Sequence, residues 1–216
     1  MNGIMEESLL KWTWNGDAQE PLLCSAPDAD GDALLRGFLL TSGAVDSPSR
    51  ILEIIPSGDA FRVVTDIPPR GLPSLAARLE RLTPPAPDFR ISLRTLESLF
   101  DRAVMDSPRS DGLHTVLLSD GRVSALGRDL GRNNALDKAV GRAVVLGLDP
   151  EHAALCCSGR ISLEIFARAA AARIPVLATW KKVGSLSVDY GNRLGIAVCR
   201  LGADSVCFSA PWRIMP

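Results

Sequence analysis

Five cysteines, two histidines and two polar stretches hold most of what this sequence could use for chemistry. Cys24, Cys156, Cys157, Cys199 and Cys207 are odd in number and contain no Cys-x-x-Cys, so neither a disulfide framework nor a zinc ribbon is written here. The plain reading is of buried, reduced thiols. Cys156 and Cys157 are neighbours on a run that reads as a strand, where successive side chains point to opposite faces, so they cannot act together. Cys157, next to the polar turn that follows, is the one weak candidate for a nucleophile. Only His114 and His152 offer imidazole, which argues against a His-based metal site, and no metal is expected.

The first polar stretch, Ser158-Gly159-Arg160-Ile161-Ser162, joins an apolar strand to a helix. Ligands of α/β sheets gather beyond the carboxyl ends of strands, where helix N-termini offer unpaired N–H groups. Gly159 would let backbone approach a ligand, Arg160 adds a planar charged fork, and Ser158 and Ser162 add hydroxyls. A serine-capped helix with a surface arginine is the plain alternative. The second stretch runs from Gly127 to Lys138, GRDLGRNNALDK, and leads two glycines, two arginines and two asparagines into a helix. Capping alone does not call for so many polar groups. His114 precedes the strand TVLLS, where a lone histidine is more often a structural hydrogen-bonding residue than a catalyst. The sequence has no GxGxxG, no P-loop and no nucleophile elbow. The H-x-E and P-C-x-x-C signature of zinc deaminases is also missing.

The elements that must position these residues follow from periodicity. LLKWTW and EPLLCS surround Asn15-Gly16-Asp17 as a first hairpin, and RILEIIP and AFRVVTDIP surround Ser57-Gly58-Asp59 as a second. Between them ALLRGFLLTSG after Asp32 reads as a short helix stopped by Gly43. PSLAARLERL reads as a helix with proline at its start. Pro84, Pro85 and Pro87 make a stiff connection, the best internal boundary, and suggest parts 1–83 and 84–216 within what could be one continuous domain. Ser92 then caps a helix carrying Leu93, Leu96, Leu99, Phe100 and Val104 on one face. TVLLS and RVSAL flank Asp120-Gly121, a two-residue hairpin signal. From Asn133 onward helices alternate with the strands AALCC, PVLATW, IAVCRL and SVCFS, which predicts an α/β (α+β) mixed sheet flanked by helices, with a small β-rich N-terminal part.

The chain has 216 residues, 46% hydrophobic and 23% charged, which are values of a folded globule. No window approaches ~18 uninterrupted apolar residues, so no membrane span is expected. MNGIMEESLL places two glutamates where a signal peptide needs positive charge, which points to the cytoplasm. Charge is divided unevenly: residues 1–108 hold 10 Lys+Arg against 16 Asp+Glu, residues 109–216 hold 14 against 9. A basic second half suits an anionic ligand. Its basic residues are scattered, with only Lys181-Lys182 adjacent, so nucleic acid is not expected.

Gly131-Arg132-Asn133-Asn134-Ala135-Leu136-Asp137-Lys138, with Asp129 and Leu130 before it, resembles the D-V-G-R-H-N-A-L-D-K signature of the formate dehydrogenase accessory (FdhD) family. Ser158 to Ser162 resembles that family's S-G-R-A-S turn, and Ala172-Arg173-Ile174-Pro175-Val176-Leu177 its A-G-I-P-I-L strand entry. Asp111-Gly112-Leu113-His114 resembles G-G-x-H, and Arg36 to Gly43 resembles the G-F-L-x-x-E-G helix. The resemblance implies a deaminase-like fold and a homodimer. It implies further that sulfur is taken as persulfide from a cysteine desulfurase and delivered to the molybdopterin guanine dinucleotide cofactor of a molybdoenzyme such as formate dehydrogenase. The expected cofactor-binding set is then His114, Gly131, Arg132, Asn134, Asp137, Lys138, Ser158, Gly159, Arg160 and Ser162. Two departures stand out: no cysteine occurs between Cys24 and Cys156, where the family's Cys-x-x-Cys loop belongs, and Lys181-Lys182-Val183 replaces a small S-A-P turn. They leave open a cofactor or guanine-nucleotide binding chaperone without sulfurtransferase activity.

Overall fold

Leu10, Trp12 and Trp14 are buried while the residues between them reach solvent, so strand β1 (Ser8–Trp14) has one face on a core. Asn15 and Gly16, both at positive φ, turn the chain back into β2 (Asp17–Ala18) and β3 (Leu22–Cys24), each antiparallel to β1. The structure is a computed structural model and describes residues 6–25, 27–105 and 112–216, with backbone only at 27, 28, 104 and 105. Helix α1 (Pro27–Thr41) begins six residues before the expected Ala33. Gly31 sits inside it with the Phe61 ring where a side chain would be: a Cβ there would come 2.4 Å from the ring. The second hairpin is as expected, β4 (Ile51–Ser57) antiparallel to β5 (Ala60–Thr65), and β5 runs parallel to β1 to complete a small five-stranded sheet.

Helix α2 (Leu75–Arg81) is capped by Ser74, whose Oγ accepts from the Ala77 N–H, so Pro73 lies outside the cap and not in the first turn. Beyond the prolines come the short strand β6 (Ile91–Ser92) and helix α3 (Leu93–Met105), with Ser92 Oγ accepting from the Thr95 N–H. Leu96, Leu99, Phe100 and Ala103 form its buried face; the Val104 side chain falls outside the described residues. Strands β7 (His114–Ser119) and β8 (Ser124–Asp129) pair as expected, but their turn has four residues and not two. Asp120 Oδ1 accepts from the N–H groups of Arg122 and Val123, and this side-chain turn removes both residues from the strand.

The remainder alternates: α4 (Arg132–Val145), β9 (Ala154–Cys157), α5 (Leu163–Ala171), β10 (Val176–Thr179), α6 (Ser185–Leu194), β11 (Ala197–Arg200) and β12 (Val206–Ser209). Last, β13 (Ile214–Met215) runs parallel to β6. The principal sheet has the order β12-β11-β10-β9-β7-β8, with β9, β10 and β11 parallel and the other pairings antiparallel, which is the expected mixed sheet. Alternation along the strands sends Val116, Leu118, Leu155, Leu177 and Val198 to one core, shared with α1, α4, α5 and the small sheet. Leu117, Cys156, Ala178 and Cys199 go to the other core, beneath α3.

A candidate anion site at the strand ends

Because β9 and β10 are parallel, the turns that follow them leave the same edge of the sheet. They also run side by side: Ile161 bridges Val183, and the Gly184 N–H donates to the Ile161 carbonyl at 2.9 Å. That register sets Arg160 beside Lys182, both exposed. Ser158 is pinned to β7 from both sides of its residue. Its N–H donates to the Thr115 carbonyl, its Oγ accepts from the Thr115 N–H, and its carbonyl accepts from Trp180 Nε1 at 2.7 Å. The Gly159 carbonyl accepts from Thr179 Oγ1 at 2.6 Å.

The two polar stretches of the sequence meet at Gly159. A Cβ on this residue would stand 2.8 Å from Arg132 Cδ and 3.6 Å from His114 Nδ1, so a side chain here would displace the Arg132 stem that crosses the turn. His114, Val116, Arg132, Cys157, Gly159 and Arg160 line a narrow crevice there, with room of about 10 Å³ for one water-sized group. Burial lowers the His114 pKa, and the Arg132 charge lowers it further against the pull of Asp129. The imidazole is therefore neutral near pH 7 and stands beside one cation, with Arg160 adding a second. The arrangement suits an oxygen or edge of an anionic ligand, not the engulfing of a whole nucleotide.

Of the expected binding set, His114, Arg132, Gly159 and Arg160 line this crevice, with Ser158 fixing the turn. Ser162 caps α5, accepting from the Ile165 N–H. Gly131 starts α4 and donates its N–H to Asp129 Oδ1. Asn134 is turned to the frame, its Nδ2 donating to the Leu23 carbonyl at 2.6 Å and to Asp129 Oδ1 at 3.2 Å. Asp137 and Lys138 lie deeper than the rest of the set. Both are 0% exposed, on the face of α4 that packs inward. Asp137 accepts from Thr41 Oγ1 and from Arg168, and Lys138 is ringed by Asp129, Asp30 and the carbonyls of Ser25 and Arg128. They hold the helix that carries Arg132.

Cys157 points into the crevice but is buried, its thiol donating to the Gly159 carbonyl, and burial pushes its pKa up to about 12. Cys156 faces the opposite core, where burial pushes its thiol up as well. Neither is a ready nucleophile. Sequence reasoning missed Thr179 and Trp180, whose signal was their place at the end of an apolar strand beside the turn they brace.

The FdhD/NarQ family model matches residues 62–215. Among curated relatives, a sulfur carrier protein FdhD of Anaeromyxobacter dehalogenans (strain 2CP-C) is 31% identical over 191 residues, covering 82% of this chain and 64% of the relative. One from Bordetella petrii is 26% identical over 241 residues, covering 98% and 86%. The chain thus spans just under two thirds of the length of the Anaeromyxobacter relative. A solved structure from Desulfotalea psychrophila, described as a formate dehydrogenase accessory protein, superposes with a TM-score of 0.82 at 24% identity over 97% of this chain and 90% of that one. At that identity the likeness speaks for the fold alone. The match over most of the chain, joined to the two motifs that meet at Gly159, settles the kinship: the chain belongs to the FdhD/NarQ family.

Proposed function

We propose that this protein is an accessory factor for a formate dehydrogenase and binds the guanine-nucleotide end of its molybdopterin guanine dinucleotide cofactor. One observation carries the reading: Arg132, Arg160 and a neutral His114 converge around Gly159 at the carboxyl edge of parallel strands. The dinucleotide is cargo here, not a resident group. The crevice admits one edge of it, and the exposed Lys181 and Lys182 add positive charge nearby. The relatives' description as sulfur carriers supports a further step, in which a cysteine desulfurase supplies sulfur and the client molybdoenzyme receives the finished cofactor. The work would be done in the cytoplasm by a homodimer. Among the described residues no helix is long and apolar enough to cross a membrane.

Calorimetry with GDP tests the binding half. Each charge-assisted hydrogen bond contributes roughly 1.5–3 kcal/mol, so Arg160→Ala should weaken binding about tenfold or more. GDP that does not bind, or binds equally well to the variant, ends this reading. The burial of Cys157 favours a second reading, a chaperone that holds the cofactor without handling sulfur. The two part at the cysteines.

A further inference from the structure

One pair of thiols lies outside the site just described. Strands β11 and β12 are antiparallel and place Cys199 directly opposite Cys207. Directly opposed residues share a face of the sheet, with Cβ atoms about 4.5–5.5 Å apart, and a disulfide spans Cα separations of about 4.4–6.8 Å. Both thiols are free in this structure. Cys199 is 2% exposed, in the core under α3, whereas Cys207 is half-buried on the outermost strand of the sheet. Cys207 Sγ lies 3.1 Å from the Ser209 carbonyl, and the neighbouring Ser205 Oγ donates to Glu97 of α3, which holds the strand against that helix. The two thiols influence each other: the neighbouring Cys199 lowers the Cys207 pKa against the effect of burial, while the neighbouring Cys207 and then burial raise that of Cys199. Cys207 is the thiol that solvent reaches and Cys199 the buried neighbour directly opposite it, the placement of an attacking thiol and its resolving partner.

We propose that Cys207 accepts sulfane sulfur from a persulfide donor and that Cys199 resolves it, so that a cross-strand dithiol does in this chain the work of a Cys-x-x-Cys loop. The proposal rests on the sulfur-carrier part of the function proposed above. The Cys207 thiol gives its proton to solvent, and the thiolate attacks the outer sulfur of a donor persulfide, R–S–SH. The donor S–S bond breaks, R–S⁻ leaves with the electron pair, and Cys207–S–SH is formed with no net oxidation. The outer sulfur then passes to an acceptor by the same exchange. With no acceptor, Cys199 loses its proton and attacks Sγ of Cys207, and the outer sulfur departs as HS⁻ with the electron pair. That sulfur is reduced while the two cysteine sulfurs are oxidised to a disulfide, and an external thiol reductant resets the pair.

The test uses the full reduced chain with glutathione persulfide as the probe, read by intact mass and peptide mapping. In Cys199→Ser the added sulfur should stay, a gain of about 32 Da on Cys207. The unaltered chain should release sulfide and lose about 2 Da as the disulfide closes. Cys207→Ser should do neither while keeping the denaturation midpoint of the parent. Label on Cys156 or Cys157 with Cys207 bare, or sulfide release persisting in Cys207→Ser, overturns the proposal and leaves sulfur carriage standing on another thiol. No label on any cysteine, in a protein that still binds GDP, also overturns it and returns the protein to the binding-only reading.

Discussion

Lys138 Nζ lies 2.8 Å from Asp129 Oδ2, and neither side chain has any exposed surface. The pair is completed on every side. Ser25 gives Asp129 its N–H and Oγ, Gly131 and Asn134 donate to the other oxygen, and Lys138 donates to the carbonyls of Ser25 and Arg128. It ties the end of β8 and the start of α4 to the segment after β3, and so sets where Arg132 and His114 stand. Breaking a buried pair from one side leaves an uncompensated charge, worth about 3–5 kcal/mol. Lys138→Met should lose about that much in urea denaturation, and Asp129→Asn added to it should restore part of the loss. Additive losses in the double variant would mean the two residues are not coupled.

Helices α1 and α4 touch backbone to backbone through reciprocal glycines. A Cβ on Gly37 would stand 1.7 Å from the Asp137 carbonyl oxygen, and one on Gly141 1.9 Å from that of Ala33. Neither contact can be relieved by a rotamer change, because the obstacle is main chain. Gly37→Ala should therefore destabilise the chain by at least the ~1–3 kcal/mol typical of overpacking, despite alanine's better helix propensity. A higher melting temperature in that variant would show that the helices can separate at little cost.

The mixed sheet was legible because its strands are short apolar runs bounded by glycine, proline and caps, as with AALCC before Ser158-Gly159. The meeting of the two polar stretches at Gly159 was legible only in kind, since crevice residues must project from an edge that topology alone defines. The burial of Asp137 and Lys138 was not legible, because a signature is conspicuous whether its charges face solvent or pair within the frame. The turn at Asp120 was misjudged because a side-chain oxygen can outcompete ladder pairing for two backbone N–H groups. The Cys199–Cys207 pair could have been found by folding IAVCRL back on SVCFS, but a one-residue change of register moves the thiols to opposite faces, and a bulge beside Cys199 sets that register.

Arg173 closes α5 with φ of 59°, a left-handed conformation in a position where the sequence signature has glycine. Its guanidinium is held on Glu151 by Nε and Nη2, with Nη1 donating to Thr83 Oγ1 at 2.7 Å. The left-handed backbone costs a non-glycine residue about 1 kcal/mol, which these bonds offset. Arg173→Gly exchanges one for the other, so its denaturation midpoint should stay close to that of the parent. Arg173→Ala keeps the strain and loses the bonds, and should be destabilised by about 1–3 kcal/mol. Equal stability of all three proteins would show that the side chain contributes nothing.

His114 makes the crevice sensitive to acid. Its folded-state pKa lies below the ordinary value because burial and the Arg132 charge both disfavour the imidazolium. The unfolded chain therefore takes up the proton first as pH falls. The contribution of His114 to stability is whole above the unfolded pKa of about 6.5 and declines as pH drops from there toward the folded value. His152 works the other way: its hydrogen bond with Asp149 raises its pKa, so what it adds is present below about 6.5 and fades as pH rises through its folded pKa. A His152→Gln background isolates the effect. In it, the denaturation midpoint should fall between about pH 7 and about pH 5.5, and adding His114→Gln should flatten that slope. Saturating GDP should flatten it too, because an anion held beside the imidazole offsets the Arg132 charge and brings the folded pKa back up. A slope that His114→Gln leaves untouched would assign the acid sensitivity to other groups. One that His114→Gln removes but GDP leaves intact would place the nucleotide away from His114.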